Sequence, residues 1–388
     1  MTMLVGSGTS HLDDAYQAGA TAARQAVLPL GNHSPRLVLA FTAARYDQAA
    51  IARGIRSVTG DVPLMGCGAG GVIGTDGPDL NGVNVVAFYA EDMDVNIAVD
   101  SGVRDQPAHV AERVADQLER YLPPPTADRY AAALVLADGL SGSLAEAVQS
   151  ATSVLGPLCP LVGGGAGALH PNQFVNDATY DDAIAIALLT TSAPIGVGVY
   201  HGWTPAGQGL VVTRSRHNMV YELGGRSAFE AYVELFPDED LTPTTLYEFA
   251  RLHPIGLPQV NGEFLIRDPV NTFANGAMEC AASVPENAIA HIMQADPATL
   301  PTAAEIATRR AIAKLGGRPV AAVLIFNCVT RQIMLGDAIK AEVDLIRGII
   351  GPDTPIGGMF CFGEIAAGEV GPSTFHNKTV AVCAIARS

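Results

Sequence analysis

The sequence predicts an α/β protein in which repeated strand–helix–strand units form sheets layered with helices, arranged as two fused domains. Apolar, β-branched runs alternate with helical patterns along most of the chain. The pattern also recurs at a fixed spacing: RLVLAFTA begins at Arg36 and VPLMGCGAGG at Val62, and related runs begin 97 residues after each of them, at Ala133 and Cys159. The strands are apolar at nearly every position, which is typical of sheets that are covered on both faces.

A third, looser copy lies near the C-terminus. AAVLIFNC begins at Ala321 and TPIGGMFCFG at Thr354, so the two runs start 33 residues apart instead of 26. A longer helix and loop would absorb this difference. Each copy predicts a strand, a helix and a second strand ending in glycines, and then one more apolar strand, in NGVNVVAFYA, DDAIAIALLT and NKTVAVCAIA.

Capping signals predict where the helices of the three copies begin and end. Asp47 is expected to cap the helix of the first copy. Ser143 is expected to cap that of the second, with Glu146 completing a capping box. In the third copy, the helix is predicted to begin at Asp337 and to end at Gly351, because glycine favours the backbone conformation that ends helices.

Residues 194–280 break the repeat. They contain alternating apolar strands, two helical runs and several turns, and resemble none of the three copies. We therefore expect a domain boundary near 220–245. This interpretation assigns residues 1–230 to an N-terminal domain and residues 231–388 to a C-terminal domain.

Charge and composition exclude several classes of function. The net charge of −16 argues against nucleic acid and anionic membranes as partners. The first residues lack the basic and apolar regions of a secretion signal, and no apolar run approaches the roughly 20 residues that a membrane-spanning helix needs. The six cysteines show no CxxC spacing and no zinc-type ligand spacing, which indicates free thiols in a reducing compartment. We therefore expect a cytoplasmic protein without membrane insertion.

The chemically richest part of the chain is residues 355–386. An acid, Glu364, an imidazole, His376, a carboxamide, Asn377, and a thiol, Cys361, stand there among glycines and apolar residues. A cluster of turns does not require these groups, whereas a ligand pocket does. The stretch therefore predicts a binding site.

Glu364 stands in an apolar segment, where an ionised carboxylate is costly unless it is paired. Two interpretations are open. In the first, Glu364 forms a structural ion pair with Arg331. In the second, it accepts hydrogen bonds from a ligand amine or amide.

Two motifs elsewhere in the sequence suggest other chemistries. Gly66, Gly68 and Gly71 match GxGxxG, but the following residues are turn-like, so no helix N-terminus is offered to a pyrophosphate. Ser143 follows a strand and precedes a helix, yet an N-cap explains it better than a nucleophile. Neither a dinucleotide site nor a serine hydrolase is favoured.

Two alternatives remain besides the binding of a small polar ligand. Cys328 or Cys361 with His376 could form the thiolate–imidazole pair of a thiol-dependent hydrolase or lyase. His201, followed by Trp203, or His376 could serve as the axial ligand of a haem cofactor.

The motifs of the whole chain, taken in order, resemble the FIST N-terminal and FIST C-terminal domain pair. The matching runs are PLMGCGAGG (63–71), LVGGGAG (161–167), HGWTPAG (201–207), VYELGGRSAFEAY (220–232), HPIGLP (253–258), FLIRDPV (264–270), VPENAIAHIM (284–293), IFNCVTRQIMLG (325–336), GEI (363–365) and FHNKT (375–379). The Cys-x-x-Arg run and the Gly-Glu-Ile to His-Asn ending are the most specific of them.

This resemblance implies a sensory, ligand-binding module and not an enzyme. The ligand would be a small polar metabolite such as an amino acid, and the resemblance also implies a haem-based nitric oxide sensor as the alternative. No output domain is recognised in the sequence, so the signal is expected to pass to a separate, unidentified partner protein. The first glycine run departs from the family pattern at Gly68, Ala69 and Gly71, where hydroxyls and an acid are usual. Polar contacts are therefore expected mainly on the C-terminal side.

The predicted site assigns a role to each side chain. Glu364 and Asn377 would hydrogen-bond the ligand, Arg331 would neutralise Glu364 or hold a ligand carboxylate, and His376 would orient its neighbours. The predicted glycines would let the backbone approach the ligand closely. The full set of predicted ligand-binding residues is Cys67, Asn327, Cys328, Arg331, Gly357, Gly358, Cys361, Gly363, Glu364, His376 and Asn377.

Overall fold

The computed structural model describes residues 3–125, 128–167 and 173–387. Helices account for 26% and strands for 38% of the protein, which confirms the predicted α/β class. The chain folds into two compact units. The larger unit comprises Met1–Tyr200, Thr302–Phe375 and Thr379–Ser388, and the smaller unit comprises His201–Pro301 and His376–Lys378. The domain boundary at residues 230 and 231 stays a prediction from sequence.

The larger unit is built from three modules of one design. The elements of the first module are β1 (Leu4–Ser10), α1 (Ala15–Val27), β2 (Leu37–Ala43), α2 (Gln48–Thr59), β3 (Leu64–Ala69), β4 (Val72–Gly74), β5 (Gly77–Asp79) and β6 (Val83–Tyr89). Strand β6 pairs antiparallel with both β1 and β2, and β2 pairs parallel with β3. Helices α1 and α2 pack against each other, and their apolar faces form one buried core with β2, β3 and β6.

The second module repeats this order of elements. It contains β7 (Asp94–Ser101), α3 (Pro107–Glu119), β8 (Tyr130–Asp138), α4 (Leu144–Leu155), β9 (Leu161–Ala166), β10 (Gln173–Val175), β11 (Ala178–Tyr180) and β12 (Ala183–Thr191). Strand β12 pairs antiparallel with β7 and β8, β8 pairs parallel with β9, and α3 packs against α4. The predicted 97-residue repeat is therefore a repeat of three-dimensional structure.

The third module is interrupted in the chain by the smaller unit. After β13 (Ile195–Tyr200) the chain forms β14 (Thr204–Pro205), β15 (Leu210–Arg216), β16 (Met219–Leu223), β17 (Arg226–Ser227), α5 (Ala228–Leu235), α6 (Leu246–Ala250), β18 (Ile255–Pro258), β19 (Phe264–Arg267), β20 (Pro269–Thr272), β21 (Met278–Cys280) and β22 (Ile289–Gln294). The nine strands β14 to β22 form one antiparallel sheet with its own apolar core, which includes the buried Tyr232 and Leu246. This insertion explains why residues 194–280 break the repeat.

The third module then resumes. Its remaining elements are α7 (Thr302–Ala313), β23 (Val320–Cys328), α8 (Val329–Leu335), α9 (Ile339–Ile350), β24 (Ile356–Cys361), β25 (Glu364–Ala367), β26 (Ser373–His376) and β27 (Val380–Ala386). Strand β27 pairs antiparallel with β13 and β23, β23 pairs parallel with β24, and α7 packs against α9. The looser third copy is thus confirmed, and α8 fills its extra length.

The three modules exchange β-hairpins in a closed ring. The β4–β5 hairpin of the first module pairs with β24 of the third. The β10–β11 hairpin of the second pairs with β3 of the first, and the β25–β26 hairpin of the third pairs with β9 of the second. Each glycine-rich second strand would be an edge within its own module, and the exchanged hairpin covers it. The ring therefore holds the three modules together.

A glycine stands at the third position of each second strand, at Gly66, Gly163 and Gly358. A Cβ atom there would lie 2.5, 1.9 and 2.0 Å, respectively, from the carbonyl oxygen of the residue paired with it on the first strand. Backbone cannot move aside as a side chain can. The glycines of the predicted motif are therefore required by strand packing.

We expect Gly163→Ala to lower the free energy of unfolding by about 1–3 kcal/mol, because its methyl group overpacks a backbone contact. Gly348→Ala is the matched control, since nothing lies within 4 Å of a Cβ at this helical position. There alanine should stabilise the protein by up to about 1 kcal/mol. Urea denaturation of both variants tests this difference, and equal effects of the two substitutions would contradict it.

The helices are short, and their ends agree only in part with the capping signals. Asp47 caps α2 through bonds from the amides of Ala49 and Ala50, as predicted. The capping box at Ser143 is wrong, because its hydroxyl donates to the Val103 carbonyl, 3.0 Å away. Helix α9 ends at Ile350 with Gly351 as its C-cap, next to the predicted end, but it begins at Ile339, after a 3-10 turn. None of the described helices is long and apolar enough to cross a bilayer.

Candidate functional site

The glycine-rich ends of β3, β9 and β24 converge in the larger unit. Backbone hydrogen bonds connect strand ends of different modules: the amide of Gly167 donates to Gly68, that of Phe360 to Gly71 and that of Gly165 to Gly363, with N···O distances of 3.2, 2.9 and 2.8 Å. All three modules therefore contribute to one place in the fold. Most of the predicted site residues of the larger unit lie there or in the strands that lead to it.

Sulfur atoms occupy the centre of this convergence. Cys67 Sγ lies 3.4 Å from Met359 Sδ, and strand register places these two residues at equivalent positions of β3 and β24. The third equivalent position is Gly164, where a Cβ atom would lie 2.7 Å from Cys361 Sγ. We call Cys67, Met359 and Cys361 the sulfur cluster. Gly164 is required because the thiol of Cys361 fills the space beside it.

The thiols of this cluster are protonated at neutral pH. Burial raises the pKa of Cys67 far above its ordinary range. Burial also raises the pKa of Cys361 well above its usual value, and the neighbouring Glu364 raises it further. All six cysteines of the chain are buried free thiols, as the sequence predicted. Cys328 pairs in register with Cys361 on the adjacent strand.

Glu364 is the first residue of β25 and is fully buried beside the sulfur cluster. Its Oε2 accepts hydrogen bonds from the Thr379 amide and hydroxyl, at 2.9 and 2.8 Å, and the Cys361 thiol donates to its Oε1 at 3.6 Å. Burial raises the pKa of Glu364 from 4.5 to about 7, although the bonds from Thr379 and the charge of Arg331 act in the opposite direction. The carboxyl group is thus poised between its two protonation states near neutral pH.

Arg331 forms its buried ion pair with Glu342, which the sequence interpretation did not identify. Both side chains are fully buried. Glu342 Oε2 also accepts a bond of 2.5 Å from Asn327 Nδ2. In the part of the chain that the structure describes, Asn327 Oδ1 has no hydrogen-bond partner although it is buried. Arg331 therefore pairs with Glu342, while its charge also acts on Glu364, and the structural pair of Glu364 with Arg331 stays a prediction.

The predicted glycines approach protein atoms closely. A Cβ on Gly357 would lie 2.1 Å from the Val86 side chain. One on Gly363, whose φ is +94°, would lie 2.0 Å from the Phe375 ring. A Cβ on Gly358 would lie 2.0 Å from the carbonyl oxygen of Ile325 in β23. Packing alone thus explains these glycines, and close approach to a ligand stays a prediction.

His376 and Asn377 belong to the smaller unit, where they precede a lysine that the sequence interpretation missed. Lys378 is fully buried, adopts a left-handed conformation with φ +59°, and its Nζ lies 3.0 Å from Asp268 Oδ1. Its ammonium group lies 5.7 Å from the centre of the Trp203 ring. Asn377 Oδ1 accepts from the Asp268 amide at 3.4 Å. The predicted ligand bonds of Asn377 and the orienting role of His376 remain predictions.

His201 does not fit the role of an axial haem ligand. Its Nδ1 accepts a hydrogen bond of 2.9 Å from the Trp203 amide. A neutral imidazole that accepts at Nδ1 carries its proton on Nε2, so neither nitrogen offers a lone pair to iron. Haem ligation by His201 would break this bond within its own loop.

Gln173 is a further candidate that sequence reasoning missed. It begins β10 and pairs in register with Cys67, as Glu364 begins β25 and pairs with Gly164. It is fully buried, and within the described residues neither its Oε1 nor its Nε2 has a hydrogen-bond partner. Its only signal in the sequence is a polar residue at the start of a strand, which is too common to single out a site.

Two of the curated relatives extend over nearly the whole chain, and a third over about half of it. Two proteins of Mycobacterium tuberculosis, named Uncharacterized protein MT0656 and Uncharacterized protein Rv0628c, are each 25% identical over 394 residues, which cover 97% of this chain and 96% of theirs. Uncharacterized protein MJ1623 of Methanocaldococcus jannaschii is 24% identical over 226 residues, 52% of this chain and 43% of its own.

Two solved chains of cyanuric acid hydrolase show distant likeness. One, from A. caulinodans, has a TM-score of 0.28 and 12% identity, with 48% of this chain and 70% of the other covered. The second has a TM-score of 0.36 and 10% identity, with both chains covered completely. Likeness at these TM-scores supports no conclusion about activity.

The family models match most of the sequence, and they bear out the resemblance carried by its motifs. The match to the FIST N domain covers residues 36–226 and the match to the FIST C domain covers residues 228–367. The chain belongs to the FIST family.

Proposed function

We propose that this protein is a sensory protein that binds a small polar metabolite, such as an amino acid, and signals to a separate partner protein. Membership of the FIST family supports the sensory role, since FIST domains are proposed sensory and signalling domains. The observation that carries the proposal is the fully buried Glu364, whose pKa is raised to about 7 at the convergence of three glycine-rich strand ends.

A purely structural role explains Glu364 poorly. A buried carboxyl group costs stability unless its lone pairs are satisfied, and an apolar side chain of similar volume would avoid that cost. Thr379 satisfies one oxygen with two good bonds, whereas the other accepts, among the residues that the structure describes, only from the weak thiol donor at 3.6 Å. Groups with strongly shifted pKa values are concentrated at functional sites. A ligand N–H group would supply the missing donor to Oε1.

Asn327 provides a second acceptor in the same part of the third module. Its Oδ1 lacks a partner in the described structure, while its amide nitrogen is fixed by Glu342. The cluster is fully buried, so a ligand reaches it only when the surrounding backbone opens locally. Binding would then favour one of two conformations, which is how a ligand-binding module produces a signal.

We propose binding rather than catalysis. A thiol-dependent enzyme needs a thiolate, and burial raises the pKa of Cys361, one of the two candidate nucleophiles, well above its usual value. Cys328, the other candidate nucleophile, stays untested. A haem cofactor bound through His201 is likewise not part of the proposal, because the hydrogen bond at His201 Nδ1 opposes the ring state that iron requires. Haem ligation by His376, the other candidate, stays a prediction.

Glu364→Gln is expected to weaken ligand binding at least tenfold while unfolding stays cooperative. Glutamine keeps the shape of the side chain, and its oxygen can still accept from Thr379. Its second terminal atom, however, is a donor nitrogen and no longer accepts a hydrogen bond from the ligand. Native mass spectrometry of the purified protein identifies what it carries, and isothermal titration with amino acids measures the affinity. Glu305→Gln, on the exposed face of α7, is the control and should bind as wild type does. Unchanged binding by Glu364→Gln, or loss of cooperative unfolding, would show that Glu364 is structural.

A further inference from the structure

We infer that Gln173 is a specificity-determining residue of the proposed ligand site, and that the site selects a ligand with a carboxamide group over the corresponding carboxylic acid. This inference rests on the proposed function, because it names the class of ligand that the same site would bind. It is carried by the position of Gln173 in the ring of exchanged hairpins and by its buried side-chain amide, which has no hydrogen-bond partner within the described part of the chain.

Strand register makes Gln173 the counterpart of Glu364. In each exchanged hairpin, the first strand pairs with β3, β9 or β24 of another module. The first residue of that hairpin strand lies opposite the fourth residue of β3, β9 or β24. These first residues are Val72, Gln173 and Glu364, which pair with Met359, Cys67 and Gly164. Two of the three equivalent positions therefore carry polar side chains, although all three are fully buried.

Gln173 faces the sulfur cluster. Its neighbour Phe174 packs into the helix-covered core of the first module, and a Cβ on Gly66 would touch the Phe174 ring. Because side chains alternate along a strand, Gln173 and its partner Cys67 project from the opposite face of the sheet. Cys67 contacts Met359 there and is close enough to Cys361 to affect the pKa of that thiol.

Contacts connect the same cluster to Glu364, because the Cys361 thiol donates to Glu364 Oε1. Gln173 and Glu364 thus both adjoin the sulfur cluster, Gln173 beside Cys67 and Glu364 beside Cys361. The sulfur atoms are soft and weakly polar. They leave the amide of Gln173 without a hydrogen-bond partner among the described residues, and they give Glu364 Oε1 only the weak thiol donor of Cys361. A ligand between Gln173 and Glu364 would meet polar atoms at both ends.

The chemistry of the glutamine side chain defines what it would recognise. Its carboxamide presents one acceptor oxygen and one donor nitrogen side by side. A ligand carboxamide pairs with both at once, whereas a carboxylate has only acceptors and leaves Gln173 Oε1 facing another oxygen. Discrimination by buried hydrogen bonds is strong, because the wrong ligand leaves a buried polar group unsatisfied. Glu364 would accept the remaining ligand N–H groups.

The probes are L-asparagine and L-glutamine, with L-aspartate and L-glutamate as the matched acids. We expect at least one amide to bind the wild-type protein at least tenfold more tightly than its acid in isothermal titration. Gln173→Met, which keeps the length but removes both polar atoms, should reduce amide binding at least tenfold. The variant's midpoint of thermal unfolding without ligand should be equal to or higher than that of wild type, because an unsatisfied buried amide is lost. Gln149→Met, at an exposed position, is the control.

The other possible results contradict either the inference about Gln173 or the proposed function. A lower unfolding midpoint for Gln173→Met would show that the residue is structural. Equal binding of amides and acids, or unchanged amide binding by Gln173→Met, would overturn the inference. In that case loss of binding in Glu364→Gln would still uphold the proposed function. Absence of binding of all four probes to wild type would overturn the inference, and absence of binding across all amino acids would overturn the proposed amino-acid ligand as well.

Discussion

Replacing Arg331 by Met is expected to lower the free energy of unfolding by about 3–5 kcal/mol, because it leaves the Glu342 carboxylate buried without its cation. Both partners have no solvent-exposed side-chain area, so water cannot take the place of the guanidinium. Asn327 Nδ2 remains as a donor to Glu342, but a neutral amide does not balance a buried charge. Urea denaturation at neutral pH measures the loss.

Two comparisons make this prediction specific. Arg309→Met removes an exposed ion pair with Glu305 on α7, and it should cost less than about 1 kcal/mol. The double variant Arg331→Met with Glu342→Leu removes both buried charges, so it should be more stable than Arg331→Met alone. A cost below about 1 kcal/mol for Arg331→Met would show that the buried pair does not stabilise the fold.

The titration of Glu364 by itself should lower the free energy of unfolding by about 3 kcal/mol as the pH rises from about 4.5 to about 7. In this range the unfolded chain ionises Glu364, whereas the folded protein keeps the proton because burial disfavours the charged carboxylate. The folded state thus binds more protons than the unfolded state, and stability decreases with pH. Below about pH 4.5 Glu364 is protonated in both states, and above about pH 7 it is ionised in both, so the dependence levels off at each end.

The difference between wild type and Glu364→Gln isolates this contribution from all other titrating groups. Burial raises the pKa of Asp92, but the hydrogen bonds that it accepts from Ser192 and its other favourable interactions outweigh burial and lower the pKa overall. Asp92 titrates in both proteins and cancels in the difference. Urea denaturation of both from about pH 4 to about pH 8 should show wild type losing stability relative to the variant. A difference that stays constant over this range would show that Glu364 titrates normally in the folded protein.

The strands and their repeat were predictable because they depend on local pattern. A strand buried on both faces is apolar at nearly every position, and the sequences of β2, β8 and β23 show this pattern. The glycines at the third position of each second strand also repeat, because each module meets the same backbone contact. The third copy was recognisable even though α8 and the smaller unit lengthen and interrupt it.

The sequence predicted which residues belong to the site, but not which residues they contact. Glu364, Cys361 and Asn327 stood out because polar and thiol groups are rare among glycines and apolar residues, and the structure brings all three together. The partner of Arg331 was missed, because Glu342 lies 11 residues further along the chain on a helix whose acidic residues read as a solvated face. Gln173 was missed for the same reason: its environment comes from a neighbouring module.

By itself, the sequence determined the α/β class, the three copies, the glycine-rich strand ends and the membership of the FIST family, because each of these is written in periodicity, spacing or motif. Only the tertiary structure decided the ring of exchanged hairpins, the pairing of Arg331 with Glu342 and the equivalence of Gln173 with Glu364. These features depend on which distant strand completes each sheet. The sequence does not indicate that strand, because the apolar edge strands of the modules have similar sequences. The physical reason is that burial is encoded locally, residue by residue, whereas the choice of partner is settled by the packing of the whole unit.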